Sequence, residues 1–158
     1  MSNFITGGGY IVLSNSEGQL AGDAGTKTNF GFNVKYNKGG KNLQGNINII
    51  FRRMESGVLR VYQIKGNALT SLTVDSKTGT ATFFCKANLK DITDPLNPIT
   101  IAGNSPLKVT MTDNGEPGKS DTISITYWNQ DGGLWFSSNW SVTDTAEQLL
   151  SGGNLVVR

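Results

Sequence analysis

The stretch NFGFNVKY, Asn29 to Tyr36, decides the fold. Phe30, Phe32, Val34 and Tyr36 alternate with Asn29, Gly31, Asn33 and Lys35, the period-two pattern of a strand with one buried and one solvated side. The turn NKGGK follows, and NLQGNINIIFRR then puts Ile47, Ile49 and Phe51 on one face, so residues 29–53 read as a hairpin with a glycine-rich loop.

The same alternation extends outward. GVLRVYQIKG carries apolar residues on both faces, Val58, Tyr62 and Ile64 against Leu59 and Val61, as a bulged or doubly covered strand does. LTSLTVD, the turn SKTG and TATFFCKANLKDI form a second hairpin with Ala81, Phe83, Cys85, Ala87 and Leu89 inward. Pro95 and Pro98 in DPLNP can continue neither a central strand nor a helix, which marks a loop or a crossing between sheets. PLKVTMTD and DTISITYW make a third hairpin around NGEPGKS, with Leu107, Val109 and Met111 alongside Ile123, Ile125 and Tyr127. NQDGG turns into LWFSSNW. The run DTAE, Asp144 to Glu147, reads as a capping box opening one short helical turn that Gly152 and Gly153 stop, and GGNLVVR closes as a last strand. About ten short strands with turns at roughly 8–12-residue spacing predict an all-β fold, an antiparallel β-sandwich of immunoglobulin-like or jelly-roll-like type.

Composition agrees. Hydrophobic residues make up 37% and charged residues 16% of the chain, with 20 glycines, a palette of turns and solvated strand faces rather than amphipathic helices. A chain of 158 residues with no composition shift reads as a single module, 1–158, large enough to bury a core without staples. The net charge of +2 is small and its residues scattered, so electrostatics names no nucleic-acid or anionic-lipid partner. Arg52, Arg53, Arg60 and Lys65 form a modest basic cluster, read as a solvated strand face. MSNFITGGGY lacks a positive n-region and an apolar run, and no segment approaches the ~20 apolar residues of a membrane helix. The protein is then either cytosolic or a module cut from a longer chain.

Chemistry is narrowed by what the chain lacks. It has no histidine and one cysteine, which removes the usual zinc sites, imidazole-activated nucleophiles and any internal disulfide. Cys85, in an alternating strand, reads as a small core hydrophobe. All three tryptophans, Trp128, Trp135 and Trp140, fall within thirteen residues. Alternation puts Trp128 opposite Tyr127, beside Thr126 and Ser124, and Trp135 opposite Leu134 and Phe136, so the two could stack across neighbouring strands. They serve either a core or an aromatic platform for a ligand, with Asn129 and Asp131 beside them. Asp113, Asn114, Glu116 and Asp121, with Asp131, are hard oxygen donors of the kind Ca²⁺ takes, but their spacing matches no EF-hand and they are also ordinary turn residues. Asp91 and Asp94 make a second carboxylate pair, and paired carboxylates are the machinery of glycoside hydrolysis.

Taken together, GGGYI near the start, NFGFNVKYNKGG, YQIKGNALTSL, DTISITYWNQDGGLWFSSNW and LSGGNLVVR, in this order and spacing, resemble the post-COAP modules of bacterial secreted proteins. The resemblance spans nearly the full length; the segments ITDPLNPITIAGNSP and NGEPGKS depart from it. It implies a secreted or cell-surface location, neighbouring domains in the same chain, and no transferable catalytic residues. The expected function is therefore a non-catalytic spacer, adhesion unit or carbohydrate binder, without membrane insertion. Two alternatives stand beside it: a polysaccharide hydrolase using paired carboxylates, and a purely structural domain closed by an internal Lys–Asn amide bond.

Overall fold

The computed structural model of the chain describes residues 4–36, 39, 42–115 and 120–158. Twelve strands follow one another: β1 Phe4–Val12, β2 Lys27–Tyr36, β3 Leu43–Glu55, β4 Val58–Asp75, β5 Thr80–Asp91, β6 Ile99–Thr112, β7 Thr122–Trp128, β8 Leu134–Ser137, β9 Trp140–Ser141, β10 Asp144–Thr145, β11 Gln148–Leu149 and β12 Gly152–Val157. The fold is all-β and antiparallel, as the alternation requires.

The expected pair of facing sheets is replaced by one continuous sheet. Its order runs β11-β7-β6-β5-β4-β3-β2-β1-β12, with β8 also on β7 and a separate ribbon of β9 and β10. The central strands are long rather than short: β4 has 18 residues, β6 has 14 and β3 has 13. Such a sheet must bend to bury one side, and register shifts at Gly66/Ala68, Leu69/Ser71 and Ala87/Leu89 supply the bends. The result is a half-barrel curled around its own side chains.

The C-terminal segment joins the two ends of the curl. Gln148 and Leu149 pair with Ile123 and Thr122 of β7, and Gly152 to Val157 pair with β1. The other edge of β12 meets side chains instead of a ladder. Asp121 accepts the N–H of Leu155 at 2.9 Å, and Asp113 that of Val157 at 3.1 Å.

Of the two readings of DPLNP the loop holds and the crossing does not: Asp94 accepts the N–H groups of Leu96 and Asn97, and the chain turns back to pair β6 with β5 in the same sheet. A further expectation is corrected. Asp144–Glu147 do not form a helical turn. Asp144 and Thr145 pair with Ser141 and Trp140, the Thr145 hydroxyl meets Thr126 at 2.7 Å and Ser137 at 2.6 Å, and Glu147 accepts the hydroxyls of Thr112 and Thr122. Four tertiary side-chain partners outweigh a capping pattern worth about 1 kcal/mol.

The concave side is one apolar cluster filled by inward positions of every long strand, from Phe32 and Ile49 to Leu89, Val109 and Ile125. Aromatic rings thread it. Phe32 meets Phe83 at 5.7 Å, Phe51 stacks on Tyr62 at 5.3 Å, and Phe136 of β8 stacks on Phe51 of β3 at 4.2 Å although these strands are not sheet neighbours. The connection from β1 to β2 covers this end: Leu20 N–H donates to Trp135 and Asp23 N–H to Arg52.

Candidate functional site

The tryptophan segment forms the tip and outer layer of the β7–β8 hairpin. All three rings are half-buried. Trp128 pairs with Leu134, not with Trp135, because a bulge at Tyr127/Trp128 displaces Trp135 from the register. The expected cross-strand stack of Trp128 on Trp135 is therefore replaced: Trp135 packs against the core cluster. The polar flank foreseen beside Trp128 is covered too, since Ser124 and Thr126 are buried and the Thr126 hydroxyl donates to Thr145 of the β9–β10 ribbon. Trp140 begins that ribbon, its N–H donating to Asn15 at 2.9 Å.

The tip itself is tightly made. Asn129 Oδ1 accepts the N–H groups of Asp131 and Gly133, both at 2.9 Å, and Gln130 Nε2 donates to Gly103 O on β6. Asp131 is exposed at this tip, so Trp128, Asn129 and Asp131 share one end of the molecule, while Trp135 faces inward and Trp140 lies on the covering ribbon.

The oxygen donors have another task. Asp121 is wholly buried, and its Oδ1 accepts Asn114 N–H at 2.8 Å while its Oδ2 accepts Leu155 N–H. Asp113 Oδ1 accepts Gly115 N–H at 3.0 Å and its Oδ2 accepts Val157 N–H. The amide of Asn114 donates to Ser120 O. All four carboxylate oxygens thus face main-chain donors that close the loop and the last strand. Glu116 lies outside the described residues, and among those described no group of three or more acids, histidines or cysteines assembles a cation site.

Three further carboxylates are engaged, those of Asp91, Asp94 and Glu55. Asp91 is buried and accepts the Thr93 N–H at 2.9 Å and its hydroxyl, while Arg60 approaches its other oxygen at 3.7 Å. Asp94 is exposed, and its carboxyl is held below the usual range by the Asn97 amide and then by the Leu96 N–H. Tyr62 donates to Glu55, which Arg53 approaches at 3.0 Å, and burial followed by that hydrogen bond pushes the Tyr62 phenol well above its ordinary value. These groups fasten the β3–β4 hairpin to the turn after β5.

One surface escaped the sequence reading. The outward side chains of β1 to β4 assemble a cationic, amide-rich face around a groove of about 410 Å³. Its residues were visible as the polar half of each alternation, but which lie side by side depends on pairing register, which no single strand encodes. Comparison with protein-family models, with curated proteins and with solved structures gives no match to this chain.

Proposed function

We propose that the chain is a non-catalytic module of a bacterial extracellular or cell-surface protein, a rigid body whose exposed faces bind glycans or surface partners. The observation that carries this reading is the filled interior, from Phe32 on Phe83 to Phe51 on Phe136, together with carboxylates committed to main-chain N–H groups. A packed sheet of this kind holds its loops without moving parts, and recognition then falls to surfaces. The secreted setting beside other domains rests on the resemblance of the sequence motifs to post-COAP modules. At the tryptophan end, Trp128, Asn129 and Asp131, with Trp140, are the ligand contacts.

An internal Lys–Asn amide needs a lysine shut in beside an asparagine, whereas the described lysines are all exposed or half-exposed. The test of the whole reading is a glycan screen for binding, run beside an assay of new reducing ends on the same polysaccharides. Binding without turnover is expected, with Trp128→Ala weakening ligands of the tryptophan end. Accumulating reducing ends would replace this reading with the hydrolase.

A further inference from the structure

We propose that the outer face of β1 to β4 binds an acidic polysaccharide, seating a sugar ring in the groove over Gly31 and its carboxylates against Lys27, Arg52 and Lys65. The register builds this face row by row. Gly8, Gly31, Asn48 and Lys65 are cross-strand neighbours, and the next row runs Tyr10, Asn29, Ile50. Their partners one position along, such as Phe30 and Ile49, are buried, so these rows face outward.

The groove exists because two glycines meet. Gly8 pairs with Gly31, and a Cβ on Gly31 would meet nothing within 4 Å. Tyr10, Asn29, Asn48 and Ile50 wall the trough this leaves. Asn29 Oδ1 is held by Arg52 at 2.7 Å, which leaves its Nδ2 to donate to a ligand, and Asn48 is exposed. Amides beside one aromatic ring suit neighbouring sugar hydroxyls, each able to donate and accept.

The charge is one-sided. Residues 4–12, 27–35, 44–52 and 63–65 contain no Asp or Glu. Lys27 lies 4.5 Å over the Tyr10 ring, and the ion pairs of the described residues involve Arg53 and Arg60, not Lys27, Arg52 or Lys65. Cations left without carboxylates flank the trough, Lys27 and Arg52 side by side on β2 and β3 and Lys65 on β4 in the Gly31 row, and complement an anionic polymer. A sugar polymer fits better than a nucleic acid, because single strands need several aromatic platforms for their bases, and of the two aromatics lining this groove Phe30 is buried, which leaves Tyr10.

The proposal takes its ligand class from the glycan-binding reading above but occupies another face, so the two can fail separately. The intact protein is titrated with de-esterified polygalacturonate, its methyl-esterified form and an oligothymidylate, at low and at raised salt. De-esterified polymer should bind, and weaken at least about tenfold as salt rises or in Gly31→Val, whose side chain enters open space and leaves the fold intact. The double variant Lys27→Glu/Lys65→Glu should lose binding equally, with an unchanged melting temperature, and Trp128→Ala should retain it. No binding of the de-esterified polymer, equal binding of the methyl ester, tighter binding of the oligothymidylate, or full binding by Gly31→Val or the double variant overturns the proposal. Loss of binding in Trp128→Ala alone overturns it in favour of the tryptophan end.

Discussion

The buried carboxylate of Asp121 accepts the main-chain N–H of Leu155 at 2.9 Å, thirty-four residues away in sequence. Its second oxygen takes Asn114 N–H at 2.8 Å, and its own carbonyl takes Leu150 N–H at 3.1 Å. One residue therefore ties the β6–β7 loop to the C-terminal strand, where a ladder between β12 and β7 would otherwise be needed to hold the curl. Asp121→Ala strands two N–H groups, one of them in the core, at about 1–3 kcal/mol each. We expect a loss of about 3–5 kcal/mol in urea unfolding; a loss below about 1 kcal/mol would mean that pairing with β1 alone secures β12.

The same geometry bears on metal. N–H dipoles aimed at all four oxygens of Asp113 and Asp121 present positive ends where a cation would sit. Calcium at millimolar concentration, or its removal with EDTA, should move the melting temperature by less than about 1 °C, since only a ligand of the folded state shifts it. A rise of several degrees with calcium would return Asp113, Asn114 and Asp121 to the role of ligands.

Across the interior, Phe136 caps the aromatic column by stacking on Phe51, with Leu13 and Gly22 closing over it. Phe136→Ala should cost about 3–5 kcal/mol, because a wholly buried ring leaves a cavity between strands that cannot collapse together. Trp128→Ala, at a half-buried position, should cost clearly less in the same denaturation series.

The hairpins were legible in the sequence because each strand buries one face, and a slip of one residue would expose the whole apolar set. Phe30, Phe32 and Val34 against Ile47 and Ile49 fix β2–β3 in this way, as Val109 against Ile125 fixes β6–β7. What no local pattern carries is closure. β1 and β12 lie at opposite ends of the chain, yet Ile5 pairs with Val157, and that pairing turns two expected layers into one curled sheet. DTAE has a helix-opening pattern, but Thr145 and Glu147 find hydroxyl partners on three other strands. At the candidate sites, Asp113 and Asp121 were readable as turn residues, while the N–H groups they serve on β12 were not.

Glycines give an internal contrast. Gly45 has φ +135° and a Cβ there would lie 1.9 Å from Asn33 O, whereas Gly31 has open space and ordinary strand geometry. Gly45→Ala should destabilise by more than about 2 kcal/mol through strain and clash. Gly31→Ala should be neutral or stabilising by about 0.5–1 kcal/mol, as removal of glycine from a strand interior is. Equal effects of the two substitutions in chemical denaturation would contradict the pairing of β2 with β3 in this register.

Cys85 supplies a pH-dependent test of the packed interior. Its thiol is 2% exposed, and burial pushes its pKa from 9.0 up to about 12. The unfolded chain loses this proton near pH 9 while the folded protein keeps it, so the folded state binds more protons and stability falls as pH rises, up to the folded value near 12. Between pH 9 and 10 the thiol's share is about 1 kcal/mol, at a limiting slope of about 1.4 kcal/mol per pH unit. Tyr62 and Tyr127, also raised by burial, act in the same direction from about pH 10. Comparison with Cys85→Ala isolates the thiol: packing loss makes the variant less stable by a constant amount, and the gap should narrow by about 1 kcal/mol from pH 9 to 10. A thiol reagent at pH 8 should correspondingly label the unfolded chain and spare the native one; labelling of the native protein at the same rate would place Cys85 outside the core.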